Sequence, residues 1–267
     1  MRVLIAGAGD LGSRVAHLLG AQGASVVAFT RSGRAGTIAA QLSNLAEIAP
    51  LVAGSDAIIF TAAPGDRSEE AYRELFIDGL KNMLQARRQQ PLLFCSSTAV
   101  YGQNDGSWVD ESTLIQPSAF NGRILSTAES LLRPGDIALR LGGIYGPRFA
   151  TVESKSARDF ARRQALSGVA PLAQYWTNRI HTTDAADAIV FALGLQHPPL
   201  HLNLVDNEPC TQQALYDSQR AAAGLSPVAP IIAAASGKRV ANALLRRLGF
   251  TCRFPSYREG YASMPGP

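Results

Sequence analysis

Apolar residues along this chain follow two alternating rhythms. Short unbroken runs recur at Val3-Leu4-Ile5-Ala6, Val26-Val27-Ala28-Phe29, Ala57-Ile58-Ile59-Phe60 and Leu92-Leu93-Phe94-Cys95, with a further run, Ile137 to Leu141, broken only by Arg140. Runs without polar alternation suit strands buried on both faces of a parallel sheet. Between them apolar residues return every three or four positions: Leu11, Val15, Leu18 and Leu19; then Leu75, Phe76, Leu80, Met83 and Leu84; then Ile124, Leu125, Ala128, Leu131 and Leu132. That spacing predicts amphipathic helices. The helices are expected after Leu11, over Asn44–Val52, over Ser68–Gln90, and from Pro117 to Arg133. Thr37–Ser43 reads as a short third strand, because Ser32–Gly36 is too short to hold a crossover helix.

Strands alternating with helices imply a doubly wound α/β sheet with right-handed crossovers, the Rossmann type. Beyond Gly142 the alternation loosens. Segments 152–168 and 182–195 read as helices, 201–205 as a strand and 211–224 as a helix. The apolar stretch 227–235 reads as a strand, and 237–248 as a short helix closed by Gly249. The expected organisation is residues 1–141 as the sheet domain and 142–267 as a smaller portion packed on it, forming one continuous unit.

The first run stops at Gly7-Ala8-Gly9-Asp10-Leu11-Gly12, which closes a strand and opens a helix inside a unit of about 30 residues. In that context GxGxxG points to dinucleotide binding. Gly7 permits the turn, Gly9 lets backbone approach a pyrophosphate, and Gly12 lets the helix lie close to the strand. The helix N-terminus, at Asp10 and Leu11, then offers N–H groups and the positive dipole end to phosphate. At the end of the second strand stand Thr30 and Arg31, and no Asp or Glu occurs between Leu11 and Asn44. An acidic residue there would select NAD; arginine suits the 2′-phosphate of NADP. The small residues Ala62, Ala63 and Pro64 would let a cofactor lie against a strand end.

Composition removes other classes. Of 267 residues, 46% are apolar and 17% charged, with a net charge of +4 and basic residues in scattered pairs. This is a globular composition without the basic stripe of a nucleic-acid binder. Cys95, Cys210 and Cys252 stand too far apart for a metal or disulfide framework, and no metal site is expected. No run of 18 apolar residues is present, so no membrane span is expected. The first strand begins by residue 3, which leaves no room for a signal peptide, so the expectation is a cytoplasmic protein.

Several elements together resemble one family. The glycine turn, Ala62-Ala63-Pro64, Ser96-Ser97-Thr98-Ala99-Val100-Tyr101-Gly102 and Ile144-Tyr145-Gly146-Pro147 occur in its order and spacing. So do Arg179-Ile180-His181-Thr182-Thr183-Asp184 and Asn203-Leu204-Val205-Asp206. The chain resembles the extended short-chain dehydrogenase/reductases, the NAD-dependent epimerase/dehydratase group, with glycine spacing closer to the atypical members. The resemblance implies a Ser/Thr–Tyr–Lys trio in which a tyrosine moves a proton at the substrate oxygen and a lysine depresses its pKa. Ser97 matches the Ser/Thr position. The expected Y-G-R-S-K-L-A-A-E run is matched by Asn121-Gly122-Arg123-Ile124-Leu125-Ser126-Thr127-Ala128-Glu129. Asn121 therefore stands for the tyrosine and Leu125 for the lysine, and Tyr-x-x-x-Lys occurs nowhere in the chain. Asparagine bonds hydrogen but supplies no proton at neutral pH.

Tyr101 and His181 are candidate substitutes in catalysis, each with an alternative structural role: Tyr101 as a packed loop tyrosine, His181 as the anchor of a strand-to-helix turn. Tyr145 and Arg179 are candidates for substrate contact, again with packing or solvated alternatives. The resemblance implies an NAD(P)-dependent oxidoreductase or epimerase-like enzyme acting on a small polar or nucleotide-linked substrate. The lost Tyr/Lys pair keeps open a second reading, a non-catalytic NADP-binding redox sensor or scaffold. The family also implies a homodimer, with helices 68–90 and 117–133 as the candidate contact.

Overall fold

The computed structural model describes residues 1–34, 36–148 and 160–264. The first half runs β1 (Arg2–Ala6), α1 (Asp10–Ala21), β2 (Ser25–Thr30), β3 (Ile38–Ala39), α2 (Leu45–Ala53) and β4 (Ala57–Phe60). Then come α3 (Glu69–Arg73), a π-helical segment (Glu74–Gly79), α4 (Leu80–Ala86), β5 (Leu92–Ser97), β6 (Trp108–Val109), α5 (Phe120–Glu129) and β7 (Ile137–Leu141). The second half holds β8 (Gly143–Tyr145), α6 (Phe160–Leu166), β9 (Tyr175–Thr177), β10 (Arg179–His181), α7 (Thr182–Leu193), β11 (His201–Leu204) and β12 (Cys210–Thr211). It closes with α8 (Gln212–Ala222), β13 (Ser236–Gly237), β14 (Arg239–Val240), α9 (Ala243–Arg247) and α10 (Tyr257–Ala262).

Among the described residues, seven strands form one sheet in the order β11-β7-β5-β4-β1-β2-β3. Every neighbouring pair is parallel. The sheet is covered on both sides, so side chains alternate between two cores. Leu4, Ala6, Ile58, Phe60, Leu92 and Phe94 enter the core beneath α2, α4 and α5. Val3, Ile5, Ile59, Leu93 and Leu139 enter the core beneath α1 and α7. Period two within an all-apolar run is what a doubly covered parallel sheet requires.

The predicted helix over 68–90 is three pieces and ends at Ala86. Arg87 leaves the helix in an extended conformation, and its guanidinium forks onto buried Asp136 at 2.5 and 2.7 Å. The helix expected from Pro117 to Arg133 is shorter, Phe120–Glu129. The third strand shrinks to Ile38–Ala39, at the sheet edge.

Beyond Leu141, α7 and β11 return to the main sheet, and β11 pairs with β7 at its edge. The expected helix 237–248 is instead two short strands, β13 and β14, followed by α9. The stretch 227–235 makes only a single bridge, Leu172 to Ile231. The helix expected over 152–168 is seen as α6; its earlier part lies outside the described residues. Among small pairings not anticipated from periodicity, β8 with β10 and β9 with β12 and β13 tie the second half together, and β6 with β14 joins it to the first. No helix among the described residues is long and apolar enough to cross a membrane.

Candidate active site

Two cavities open along the carboxyl edge of the sheet, where ligands collect in such folds. The strand-end loops divide between them, with no lining residue in common.

The first cavity, about 450 Å³, is lined by Gly7, Gly9, Asp10, Leu11, Thr30, Arg31, Ala62, Ala63 and Pro64, among others. Gly7 has φ +96°, a conformation that side chains with a Cβ rarely adopt, and a Cβ there would sit 2.3 Å from Ala62 Cα. A Cβ on Gly12 would lie 2.3 Å from the Gly7 carbonyl oxygen. Both glycines therefore seat α1 tightly on the ends of β1 and β4. Gly9 is different. It is the residue before α1, with φ −72° and ψ −161°, angles open to any residue. Its lack of a side chain is needed by the cavity rather than by the backbone.

Asp10 borders the cavity, but its carboxylate accepts from Thr182 Oγ1 at 3.3 Å and lies 3.9 Å from Arg14 Nε. The Thr30 hydroxyl is bonded to Thr37 Oγ1 at 2.9 Å. Arg31 is exposed, and its guanidinium lies over Gly65. Two further carboxylates, Asp66 and Glu74, line this cavity from other segments. Hydrogen bonds from Ser68 hold the Asp66 carboxyl below its ordinary pKa.

The second cavity, about 500 Å³, brings together Ser97, Asn121, Asn178, Arg179 and Lys238. Ser97 ends β5, and its Oγ accepts from the Ala99 N–H at 3.2 Å, which leaves the hydroxyl proton to donate elsewhere. Asn121 lies in the first turn of α5. A Cβ on the next residue, Gly122, would meet the Ala99 carbonyl at 2.3 Å, so α5 is pressed onto the Ser97 turn. Leu125, one turn on, lines neither cavity; it is 4% exposed and packs in the core beneath the sheet.

Tyr101 lines the second cavity, but its hydroxyl is committed. It accepts from Arg140 Nη1 at 2.9 Å and donates to Asn203 Oδ1 at 2.8 Å. Burial raises its pKa further. Tyr145 lines neither cavity. It is 1% exposed, stacked on Tyr261 at 4.4 Å, and burial drives its pKa far up. β8 carries the ring, expected on the substrate side, into the cluster with Tyr257 and Tyr261. His181 is also withdrawn. Its Nδ1 accepts from the Thr183 N–H at 3.2 Å, capping α7, while burial, then Arg14 and Arg253, push its pKa down to about 4. Asp184 binds the Arg253 and Phe254 N–H groups at 2.8 and 2.9 Å, fastening the C-terminal segment as well as standing in the first turn of α7. Arg179 does reach the cavity, with Nη2 donating to Tyr261 OH at 2.9 Å.

Lys238 and Asn178 were not marked by any sequence pattern. Lys238 arrives from 137 positions away, donating from Nζ to the Tyr101 carbonyl at 2.5 Å. The three thiols are inert by burial, Cys95 and Cys252 being pushed up to about 12 and Cys210 to about 11. Among the described residues no cluster of three or more His, Cys, Asp or Glu side chains could hold a metal.

Comparison with known proteins adds identity to this geometry. Residues 3–123 match the model of the NAD dependent epimerase/dehydratase family. A solved structure of a candidate NAD-dependent epimerase/dehydratase from Methylobacillus flagellatus is 30% identical, with 98% of this chain and 97% of that chain covered and a TM-score of 0.84. Human epimerase family protein SDR39U1 with NADPH is 20% identical over 97% of each chain, TM-score 0.78. The Thermus thermophilus UDP-glucose 4-epimerase complex with NAD is 20% identical, covering 97% of this chain and 96% of that one, TM-score 0.73. No curated protein sequence gives a significant match.

Proposed function

The chain belongs to the NAD-dependent epimerase/dehydratase family, and from that membership we propose that it is an NAD(P)-dependent oxidoreductase or epimerase-like enzyme. The first cavity takes the dinucleotide, and the second takes a small polar or nucleotide-linked substrate. The observation that carries this reading is the placement of two cavities on one sheet edge. One is floored by a glycine turn with no room for a Cβ, and the other holds Ser97 and Asn121.

The residues of the first cavity fit a dinucleotide. Gly9 leaves its backbone bare beside the N-terminus of α1, where N–H groups and the helix dipole favour pyrophosphate. Asp10 would repel a phosphate, but its carboxylate is engaged by Thr182 and Arg14. Thr30 and Arg31 border the ribose side, with Ala62, Ala63 and Pro64 opposite. Among the described residues Arg31 is the only cation lining the cavity, and it favours NADP through the 2′-phosphate. Asp66 and Glu74 are the counterweight, since a carboxylate suits the ribose hydroxyls of NAD.

When bound, the nicotinamide supplies or accepts a hydride. The protein's own groups position the substrate oxygen. The Ser97 hydroxyl donates to it, and the Asn121 amide bonds beside it, where the family pattern has tyrosine. Neither supplies a proton at neutral pH. Residues 1–141 furnish the dinucleotide half, and the remainder furnishes Arg179 and Asn178 on the substrate side. We place the protein in the cytoplasm as a homodimer through the α3–α4 and α5 surface.

Calorimetric titration with NADPH, NADH, NADP and NAD tests the reading. Micromolar binding is expected, tightest for NADPH. Arg31→Asp should weaken NADPH by tenfold or more while leaving NADH within about threefold. Equal losses would refute the 2′-phosphate role, and absence of binding to all four would refute the cofactor site. Tight binding by a protein inert toward carbonyl substrates would favour the sensor reading, which the Asn121 and Leu125 replacements already motivate.

A further inference from the structure

We infer that Lys238 is the acid–base group of the second cavity, a lysine brought from the far end of the chain to give a proton to the substrate oxygen where Asn121 cannot. The inference rests on the oxidoreductase reading above.

Four observations carry it. First, Lys238 lines the same cavity as Ser97 and Asn121, and its Nζ spends one donor on the Tyr101 carbonyl, at 2.5 Å. Two N–H bonds of an ammonium remain for a ligand. Second, among the described residues no Asp or Glu lines this cavity and no carboxylate lies within ion-pair reach of Lys238. An ammonium without a counter-ion in a half-buried site gives up its proton more readily, and burial lowers the Lys238 pKa. The other titratable groups lining the cavity are Arg179 and the phenols of Tyr101 and Tyr175; Arg239 follows in sequence and stacks on Trp108 and Trp176. None of these is a carboxylate that could pair with the ammonium.

Third, the backbone that presents Lys238 is locked. Gly237 has φ +71°, and a Cβ there would lie 2.3 Å from the Trp176 carbonyl. Its N–H donates to Asn104 Oδ1 at 2.7 Å. The Asn178 amide clamps the strand, donating to the Lys238 carbonyl at 2.9 Å and accepting from the Val240 N–H at 2.7 Å. Fixing a functional side chain by rigid neighbours is what a reacting group requires. Fourth, the chain has only three lysines, Lys81, Lys155 and Lys238, among 25 basic residues. Where a permanent charge suffices it uses arginine. Lysine differs in being able to lose its proton.

The step balances. As hydride reaches the carbonyl carbon from the reduced nicotinamide, the C=O π pair moves onto oxygen. One N–H bond of Lys238 breaks and an O–H bond forms. The substrate is reduced to an alcohol, the nicotinamide is oxidised, and Lys238 is left as a neutral amine that recovers its proton from water.

Two measurements test this. Reductive methylation with ¹³C-formaldehyde gives each lysine a dimethylamino signal whose shift reports its titration, with Lys238→Arg assigning the signal. Lys238 should titrate below the ordinary lysine range; titration within that range would overturn the inference. Second, NADPH oxidation is followed with a panel of aldehydes, ketones and α-dicarbonyls. Lys238→Arg and Lys238→Met should each lose at least 100-fold in kcat with NADPH affinity unchanged. Retention of activity by Lys238→Arg, but not by Lys238→Met, would make Lys238 a fixed positive anchor and overturn the proton role. A wild type that binds NADPH but reduces nothing in the panel would overturn it too, while leaving the cofactor site standing. Failure to bind any dinucleotide would instead refute the reading on which it rests.

Discussion

Replacing Glu129 with glutamine removes one charge from an ion pair that water does not reach. The side chains of Glu129 and Arg140 are 2% and 0% exposed. The carboxylate accepts from Arg140 Nη2 at 2.7 Å, from Arg140 Nε at 3.1 Å and from Ser96 Oγ at 2.6 Å. Arg140 in turn holds the Tyr101 hydroxyl, and Tyr101 holds Asn203 on β11. The network thus joins β5, α5, β7 and β11. Glutamine keeps the shape and one acceptor but strands a guanidinium in the core. Breaking one side of a buried pair costs about 3–5 kcal/mol. The lower end of that range, about 3 kcal/mol, is the least loss expected. For a chain of this size that is a fall in Tm of about 6–12 °C. Urea unfolding at pH 7, followed by circular dichroism, measures it directly. The double variant Glu129→Leu, Arg140→Met removes both charges and should be more stable than Glu129→Gln alone. A Glu129→Gln protein within 1 kcal/mol of the wild type, on the scale of an exposed pair, would refute the reasoning. So would a double variant whose loss equals the sum of the singles.

Gly9→Val should abolish dinucleotide binding and leave Tm nearly unchanged, because its backbone angles suit any residue and only the cavity is filled; calorimetry beside thermal unfolding checks both halves. Gly7→Val should instead unfold at markedly lower temperature, since a Cβ there meets the Ala62 backbone at φ +96°, and a normal melting curve would count against the tight seat. Asp206 and His181, both strongly shifted, act on the pH dependence of stability in opposite directions. Burial raises Asp206 from 3.8 to about 8, so folding takes up a proton there and stability falls as pH rises across that window. His181 is lowered from 6.5 to about 4, so folding releases a proton and stability rises over that narrower range. The two offset below pH 6.5, and the Asp206 contribution continues between 6.5 and 8, lowering stability by up to about 2 kcal/mol. Asp206→Asn should flatten that drop in urea midpoints taken across the interval; an unchanged slope would exonerate Asp206.

Much of the first half was legible because its constraints are local. An all-apolar run, a turn that only glycine can make and a helical stripe each act over a few residues. Hence β1, β4, β5 and β7, and the seat of Gly7 and Gly12, could be read in order. Periodicity could not say where a helix stops when a distant partner stops it, as buried Asp136 stops α4 by drawing Arg87 out. It could not distinguish a helix from two strands at Ser236–Val240, where pairing with β9 and β6 decides. Nor could it tell which tyrosine or histidine faces a ligand. Tyr145 and His181 lie in matching motifs, yet packing against Tyr261 and Phe254 withdraws both rings. Lys238 is the converse case, a residue in no motif carried into the cavity by Gly237, Asn104 and Asn178. A short-range pattern specifies elements and their buried faces. Which side chains from distant elements share one cavity follows only when the whole chain closes on its two cores.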